Sequence, residues 1–193
     1  MAGLGFAQAG DFLPYLSYNA KAGKFFLNKD KLETEVVNPT FVPDFEKIKT
    51  GWMYFAKGSA PQYVWHPSLS VKTPRPEGVD KEGKPNFKEG FKVLLYSQDT
   101  FGGVAEFSSS AIIVRNALDK VFVEWEEGRA SNPGKSPVIT TNGTTKIKTE
   151  YGDNYAPNFA ITKWIDTPKE FSSPSAANQP PSAPVAAKSV SEF

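Results

Sequence analysis

The sequence predicts a mainly β protein with one α-helix placed late among its strands. Three observations support this: short aromatic and β-branched runs alternate with Gly, Pro and Asn turns, one segment has helical spacing, and strand-like alternation resumes after it. The 193 residues, of which 39% are hydrophobic, suffice for one domain with a core. We expect a flexible N-terminal arm over 1–12, a domain over 13–171 and a disordered tail over 172–193.

Two hairpins are predicted before the first long polar segment. A turn over 19–23 joins the strands of the first hairpin, and a loop over 57–61 joins those of the second. The polar segment over 72–90 is rich in Pro, Gly and charge, which predicts a long mobile loop. The predicted strands of the two hairpins are 13–18 with 24–27, and 52–56 with 62–66.

The second half of the domain contains two more strands, the helix and the closing strands. The stretches 91–97 and 102–109 read as strands around a bend at 99–103. Four apolar residues at helical spacing then predict a helix over 111–127, with serines before it as N-cap and Gly128 ending it. Asn142-Gly143 signals a hairpin, and residues 157–165 alternate, with Phe159, Ile161 and Ile165 on one face and Trp164 on the other. The four helical residues are Val114, Leu118, Val121 and Trp125.

Strands followed by a late helix and closing strands are the pattern of a small Greek-key barrel of the OB-fold type. Such barrels often bind single-stranded nucleic acid or oligosaccharide. A jelly roll or a β-sandwich with one helix is the structural alternative. The tail from about Pro168 is dominated by Pro, Ser and Ala, so burial would not offset the entropy of ordering it.

The composition argues against several classes of activity. Cysteine is absent, so thiolate chemistry and cysteine-ligated zinc are excluded, and the one histidine, His66, precedes a proline, where a structural or solvent-facing role is expected. No phosphate-binding loop or dinucleotide fingerprint is present. We therefore expect no catalytic residue, metal or cofactor. Without a signal-like or membrane-length apolar run, the protein is expected to be soluble and intracellular.

Residues 50–67 concentrate aromatic side chains on the second hairpin. Residues two apart in a strand share a face, so Trp52 and Tyr54 point the same way. Tyr63 and Trp65 likewise share a face of their strand. If the two faces coincide, the four rings form a surface on which bases can stack; the alternative is that the rings fill the barrel interior. The residues then assigned to the core are Met53, Phe55 and Val64.

A binder of single-stranded nucleic acid also needs cations along the path of the phosphates, because the net charge of +1 provides no overall attraction. Basic residues occur in the loop of the second hairpin, just after it and on neighbouring segments. The candidates are Lys57, Lys72, Arg75, Lys24, Lys88 and Lys92.

Four segments resemble bacteriophage single-stranded-DNA-binding proteins of the OB-fold type: "YNAKAGKFF", "GWMYFAKGSAPQYVW", "FKVLLYS" and "APNFAITKWIDTP". The similarity spans most of 13–171 and rests on spaced aromatics, glycines and the final P-x-F-x-I-x-x-W pattern. The resemblance implies an OB barrel that protects single-stranded DNA during replication, recombination or repair. It also implies a C-terminal tail that recruits replication or recombination proteins through its tip, here Glu192 and Phe193, although this tip is less acidic than the family's.

Two other functions fit the same rings. A phage virion or tail structural protein with a β-sandwich could use exposed aromatics as a subunit interface, and a carbohydrate-binding module could stack them on sugars. The sequence leaves the oligomeric state open, so a homo-oligomer is one of the expectations.

Overall fold

The computed structural model describes residues 13–56, 60–150 and 152–172, which form a mainly β structure with a curled, half-barrel sheet. The predicted arm, Lys57, and the predicted tail with Glu192 and Phe193 fall outside these residues, apart from Ser172. Two α-helices, α1 (Gln98–Phe101) and α2 (Ile112–Arg129), and two 3₁₀ turns, Phe45–Lys47 and Lys169–Ser172, accompany the sheet. The strands are β1 (Tyr15–Asn19), β2 (Lys24–Lys29), β3 (Leu32–Val36), β4 (Thr40–Pro43), β5 (Lys49–Tyr54), β6 (Gln62–Trp65), β7 (Lys88–Ser97), β8 (Gly103–Ser109), β9 (Lys135–Thr149) and β10 (Gly152–Asp166).

Strand β7 lies at the centre of the sheet. One edge of β7 pairs with β8. The other edge pairs with β5 near the start of β7 and with β4 near the end of β7. The order β9-β4-β7-β8 is that of a Greek key, in which the fourth strand returns beside the first, and α2 lies on the connection from β8 to β9. The predicted mainly β class, with a helix before the closing strands, is therefore confirmed.

The N-terminal hairpin extends this arrangement. Strand β1 lies parallel to β8, and β2 and β3 follow it to the edge of the sheet. The Tyr18 hydroxyl donates to the Tyr155 carbonyl oxygen over 2.7 Å, and the Tyr155 amide donates to the Ala20 carbonyl oxygen over 2.8 Å. Burial raises the pKa of Tyr18 to about 12. These bonds tie the turn between β1 and β2 to β10 and thereby curl the sheet.

The main core lies between the sheet and α2. Alternate residues of β7, Phe91, Val93 and Leu95, point inward with Ala105 and Phe107 of β8. Removing these side chains from water supplies the main stabilisation, at about 25 cal/mol for each Å² of apolar surface buried. The helix residues predicted from their spacing are all buried there: Val114, Leu118, Val121 and Trp125.

The ends of α2 differ from the prediction. No serine caps the helix, because Ala111 holds the N-cap position and the Ser109 hydroxyl accepts only the Ala111 amide hydrogen. Gly128 lies inside the helix, which ends at Arg129. The space above Gly128 is occupied by the Trp164 ring, since a Cβ there would lie 2.6 Å from Trp164 Cζ2. The glycine is therefore a contact point between α2 and β10.

Two bulges in the β9–β10 hairpin overturn two local predictions. Asn142 and Gly143 together oppose Asn158, so they form a bulge inside β9 and not a hairpin turn. A second irregularity between Ile161 and Lys163 reverses the alternation of β10 beyond it. Trp164 consequently packs on the main core with Phe159 and Ile161, whereas the sequence placed it on the opposite face.

A smaller apolar cluster covers the other side of β7. Phe171, from the last 3₁₀ turn, is buried against Val42 and Val138, and Leu94 and Tyr96 pack against the same cluster. The Lys47 ammonium group donates to the Phe171 carbonyl oxygen over 2.8 Å. Residue 171 is thus held against the sheet by both apolar contacts and a hydrogen bond.

The first hairpin is confirmed, whereas β3 and β4 lie between the two predicted hairpins, where no strand was predicted. Asp30 and Lys31 form the turn between β2 and β3 with φ of 52° and 66°, values that Gly and Asn adopt more readily. The bend predicted at 99–103 contains the short helix α1. Residues 66–87 contain no strand longer than the isolated bridge between Val79 and Pro85.

Candidate functional site

The pairing of β5 with β6 separates the aromatic residues that the sequence grouped together. Trp52 lies opposite Val64, and Met53 lies opposite Tyr63. Residues directly opposite in an antiparallel pair share a face of the sheet. Tyr63 and Trp65 are therefore on one face, with Trp52 and Tyr54 on the other. The predicted four-ring surface is wrong, because the register differs by one residue from the one it requires.

Tyr63 and Trp65 lie on the face turned away from α2 and the main core, which we call the outer face. Their rings stack on each other with centroids 4.9 Å apart and planes inclined by 11°. Phe55, 52% exposed, meets the Tyr63 ring edge-on at 6.1 Å. Met53 is buried on this face opposite Tyr63. The assignment of Met53 to the core is confirmed by its burial, whereas Phe55 is exposed and Val64 is only half-buried on the inner face beside Trp52.

Two glycines make room for these side chains. Gly51 of β5 lies opposite both Trp65 of β6 and Gly90 of β7. A Cβ on Gly51 would lie 2.8 Å from the Trp65 Cα, and a Cβ on Gly90 would lie 2.7 Å from the Ser109 carbonyl oxygen and in collision with Met53 Sδ. Any larger residue at either position would push β6 or Met53 off the sheet. The glycine pair therefore sets the position of the stacked rings.

Three lysines of β5 and β7 share the outer face with the rings. Lys49 lies opposite Lys92 across the β5–β7 pair, and Lys88 lies opposite Met53. The Lys92 ammonium group forms an ion pair with Glu106 and lies 5.6 Å from the centroid of the Tyr63 ring. Burial, and secondly the Glu106 carboxylate, raise the pKa of Tyr63. Ring, cation and carboxylate thus lie together over β7 and β8.

Trp52 and Tyr54 have structural roles on the inner face. The Trp52 indole N–H donates to the Thr73 carbonyl oxygen over 2.8 Å, and the Arg75 guanidinium lies 4.7 Å from the centroid of the Trp52 ring. Tyr54 packs against the buried Phe87 with centroids 5.5 Å apart. Both rings hold the segment between β6 and β7 against the sheet.

Glu89 also holds the segment between β6 and β7 on the inner face, and we call the contacts of Trp52, Tyr54 and Glu89 the inner-face clamp. Its carboxylate accepts hydrogen bonds from Lys72 over 2.7 Å and from Arg115 of α2 over 2.9 Å. His66 is buried beside it, and its Nδ1 accepts the Thr73 amide hydrogen over 3.1 Å, so the expected structural role of His66 fits. Lys72 and Arg75 are therefore engaged on the face opposite the stacked rings, and the structure does not bring them to Tyr63 and Trp65.

The clamp makes stability depend on pH. The hydrogen bond from Lys72, followed by the bond from Arg115, lowers the pKa of Glu89. A carboxyl with a lowered pKa stabilises the fold above its unfolded pKa of about 4.3, and this contribution is lost as the pH falls through the folded value. We expect Glu89→Gln to lower the free energy of unfolding by about 1 kcal/mol at pH 7 and by almost nothing near pH 2. Urea denaturation of the wild type and of Glu89→Gln at the two pH values measures the difference in the free energy of unfolding, and the exposed Glu124→Gln is the control. The same difference at both pH values would contradict the prediction.

The structure does not place the remaining predicted residues beside Tyr63 and Trp65. Lys24 is on β2, where its ammonium group is 2.8 Å from the Glu35 carboxylate. Lys57, Glu192 and Phe193 lie outside the described residues. The sequence analysis missed Lys49, which precedes the predicted strand 52–56, and the exposure of Phe55. A two-residue alternation through Lys49, Gly51 and Met53 could have placed Lys49 beside the rings.

Comparison of the chain with protein-family models, with curated proteins and with solved structures finds no match. The resemblance to phage single-stranded-DNA-binding proteins therefore stays a prediction. Within residues 13–56, 60–150 and 152–172, no group of three or more His, Cys, Asp or Glu side chains could hold a metal ion. Over the same residues, no helix has the length and apolarity needed to cross a bilayer.

Proposed function

We propose that this protein binds single-stranded DNA on the outer face, with little preference for base sequence and without catalysing a reaction. The observation that carries the proposal is the register, which puts the Tyr63–Trp65 pair on the same face as Lys49, Lys88 and Lys92. Rings and cations on one sheet face are the two components that sequence-tolerant single-strand binding requires.

The rings supply the affinity that is independent of sequence. Every base has a π-face, and stacking on an aromatic side chain is worth about 1–3 kcal/mol per base. Tyr63 and Trp65 are already stacked on each other, so bases would bind on the exposed sides of the pair and on Phe55. The glycines beneath them fix the rings before binding, which lowers the entropy lost in the complex.

The lysines supply the attraction for phosphate. Like charges directly opposite across two strands destabilise a sheet, and Lys49 and Lys92 form such a pair. Glu106 neutralises one of these charges, and a phosphate would neutralise the other. Neither Lys49 nor Lys88 has an ion-pair partner among the described residues. Displacement of counterions from the DNA would then favour binding.

The topology supports assigning the barrel to the OB-fold. With β4 and β5 taken as one interrupted strand, the order of strands and helix is β4/β5, β7, β8, α2, β9 and β10, which is the five-stranded Greek key with a helix before the fourth strand. OB-folds bind oligonucleotides on the face of their second and third strands. Here these are β7 and β8, and Lys92 and Glu106 lie on them.

The cellular role follows from the resemblance alone. We place the protein in DNA replication, recombination or repair, coating single strands and recruiting partner proteins through Glu192 and Phe193. No cofactor is required for this activity.

The salt dependence of binding tests the proposal. Replacing both Lys49 and Lys88 with Gln should make the slope of log K against log [salt] shallower by about 1.4, since each phosphate contact on a single strand contributes about 0.7. The measurement is a titration with oligo(dT) at several salt concentrations. The control replaces two exposed lysines elsewhere, Lys81 and Lys120, with Gln. Equal slopes for both double variants would contradict a phosphate path along the outer face.

A further inference from the structure

The outer face continues past β8 onto the N-terminal hairpin, which lies outside the five strands of the proposed OB-fold. Across the sheet, one row of directly paired residues runs Leu94, Glu106, Tyr15 and Asn28, through β7, β8, β1 and β2. Paired residues share a face, so Tyr15 lies on the outer face with Glu106. Phe26 and Lys24 lie on the same face of β2 as Asn28, at intervals of two residues.

Tyr15 and Phe26 form the second place on this face where a base could stack. Tyr15 is 52% exposed, and Phe26 is half-buried. Neither ring stacks on another aromatic ring within the described part of the chain, unlike Tyr63 and Trp65. An exposed tyrosine on a sheet face, diagonal to a phenylalanine on the neighbouring strand, offers π-faces to a ligand without any rearrangement.

Polar side chains of β8 and β1 lie on the outer face between the two ring pairs, beside the largely buried Lys92–Glu106 ion pair. Ser108 of β8 lies opposite Lys92, and Ser17 of β1 lies opposite Phe26. The Ser17 hydroxyl donates to the Phe26 carbonyl oxygen over 3.3 Å and accepts from the Asn28 amide over 3.4 Å. Small hydroxyl and amide side chains leave room for a strand and can contact phosphate and sugar.

The face becomes acidic at its far edge. Glu33 and Glu35 of β3 lie opposite Asn28 and Phe26, on the same face. Glu35 binds Lys24, whereas Glu33 is exposed at the end of the sheet. Two carboxylates repel phosphate, so a track across this face would end at β2.

We infer that a single strand crosses the outer face from Tyr63 and Trp65 on β6 to a second stacking contact at Tyr15 and Phe26, and that Glu33 and Glu35 end the track. This inference rests on the proposed function and adds to it the length and the end points of the binding site. Five strand intervals of about 4.8 Å separate β6 from β2, which gives a track of about 24 Å. At the spacing of stacked bases, about 3.4 Å per nucleotide, this track holds about seven nucleotides, so a four-nucleotide strand is too short to reach from one ring pair to the other.

The test compares four-nucleotide and eight-nucleotide oligo(dT) on the full chain. The variant Tyr15→Ala/Phe26→Leu removes both rings and keeps an apolar side chain at the half-buried position. We expect its affinity for the eight-nucleotide ligand to fall about tenfold and its affinity for the four-nucleotide ligand to change less than about twofold. Tyr15→Phe/Phe26→Tyr, which keeps both rings, should bind both ligands as the wild type does.

The outcomes separate this inference from the proposed function. If the wild type binds oligo(dT) and the ring-deleted variant binds the longer ligand equally well, the second contact is wrong and the proposed function stands. If the wild type binds neither ligand, both fail. Glu33→Lys tests the end of the track by a gain of affinity. It should tighten binding of a twelve-nucleotide ligand several-fold and leave the affinity for the four-nucleotide ligand unchanged. An unchanged affinity for both ligands would contradict an end of the track at β3.

Discussion

Replacing Tyr63 and Trp65 together with Ala is expected to lower the affinity for oligo(dT) by about 100-fold at low salt. Two stacking contacts of at least 1–2 kcal/mol each are lost, and each 1.4 kcal/mol is a tenfold change. Both side chains are only half-buried on the outer face, so the variant should remain folded. The measurements are a binding titration and a thermal unfolding curve on the same sample.

The matched control is Trp52→Ala on the opposite face of the same hairpin. Removing Trp52 breaks its hydrogen bond to Thr73 and its contact with Arg75, so this variant should lose stability. The fraction that remains folded should bind oligo(dT) nearly as the wild type does. If Trp52→Ala lost as much affinity as the Tyr63/Trp65 variant while still folded, the separation of the two faces would be wrong.

Gly90→Ala is expected to destabilise the protein by about 1–3 kcal/mol, the usual cost of forcing an extra carbon into a packed site. The new Cβ would collide with Met53 Sδ and would lie 2.7 Å from the Ser109 carbonyl oxygen. Met53 is 1% exposed and therefore enclosed by its neighbours, so we expect the collision to displace β5 and, with it, β6. Affinity for oligo(dT) should therefore fall together with the free energy of unfolding.

Gly83→Ala is the control for this variant. Nothing lies within 4 Å of a Cβ at Gly83, although its φ of 75° imposes the cost of a left-handed alanine, about 1–2 kcal/mol. Urea denaturation of both variants, together with titration with oligo(dT), separates the effect of backbone strain from the effect of displacing β5 and β6. Gly83→Ala should lose stability and keep its affinity for oligo(dT); a Gly90→Ala protein that also keeps its affinity would show that the glycine pair does not position the rings.

The sequence predicted the helix and both early hairpins because each rests on a local or periodic signal. Helical spacing of Val114, Leu118 and Val121 identifies α2 whatever its neighbours are. By contrast, β3 lacks such a signal: its residues are Leu, Glu, Thr, Glu and Val, at an exposed edge. Strands of this kind form through pairing with their neighbour and not through burial of their own side chains.

The candidate site was predicted only in part. The alternation of side chains along one strand separates its residues into two faces, but it does not show which face of β5 lies on the same side of the sheet as a given face of β6. A shift of one residue moves every side chain to the other face, and the loop that would fix the register contains no two-residue turn signal. The same limit applies to Trp164, since the bulge before it cannot be seen in a regular alternation. Lys72 and Arg75 were placed by proximity in the sequence, whereas Glu89 and Trp52 hold them on the inner face.

Quenching of tryptophan fluorescence by oligo(dT), compared between the wild type and Trp65→Phe at low salt, tests the central claim most directly. The phenylalanine ring of this variant would still stack on a base but would not emit as tryptophan. Oligo(dT) should therefore quench the tryptophan fluorescence of the wild type. The variant should still bind oligo(dT), but most of the fluorescence quenching should be lost. Trp125 is buried in the core and should be unaffected in both proteins. No binding of oligo(dT) by the wild type, or equal quenching in the two proteins, would contradict the assignment of the Tyr63–Trp65 pair as the stacking surface.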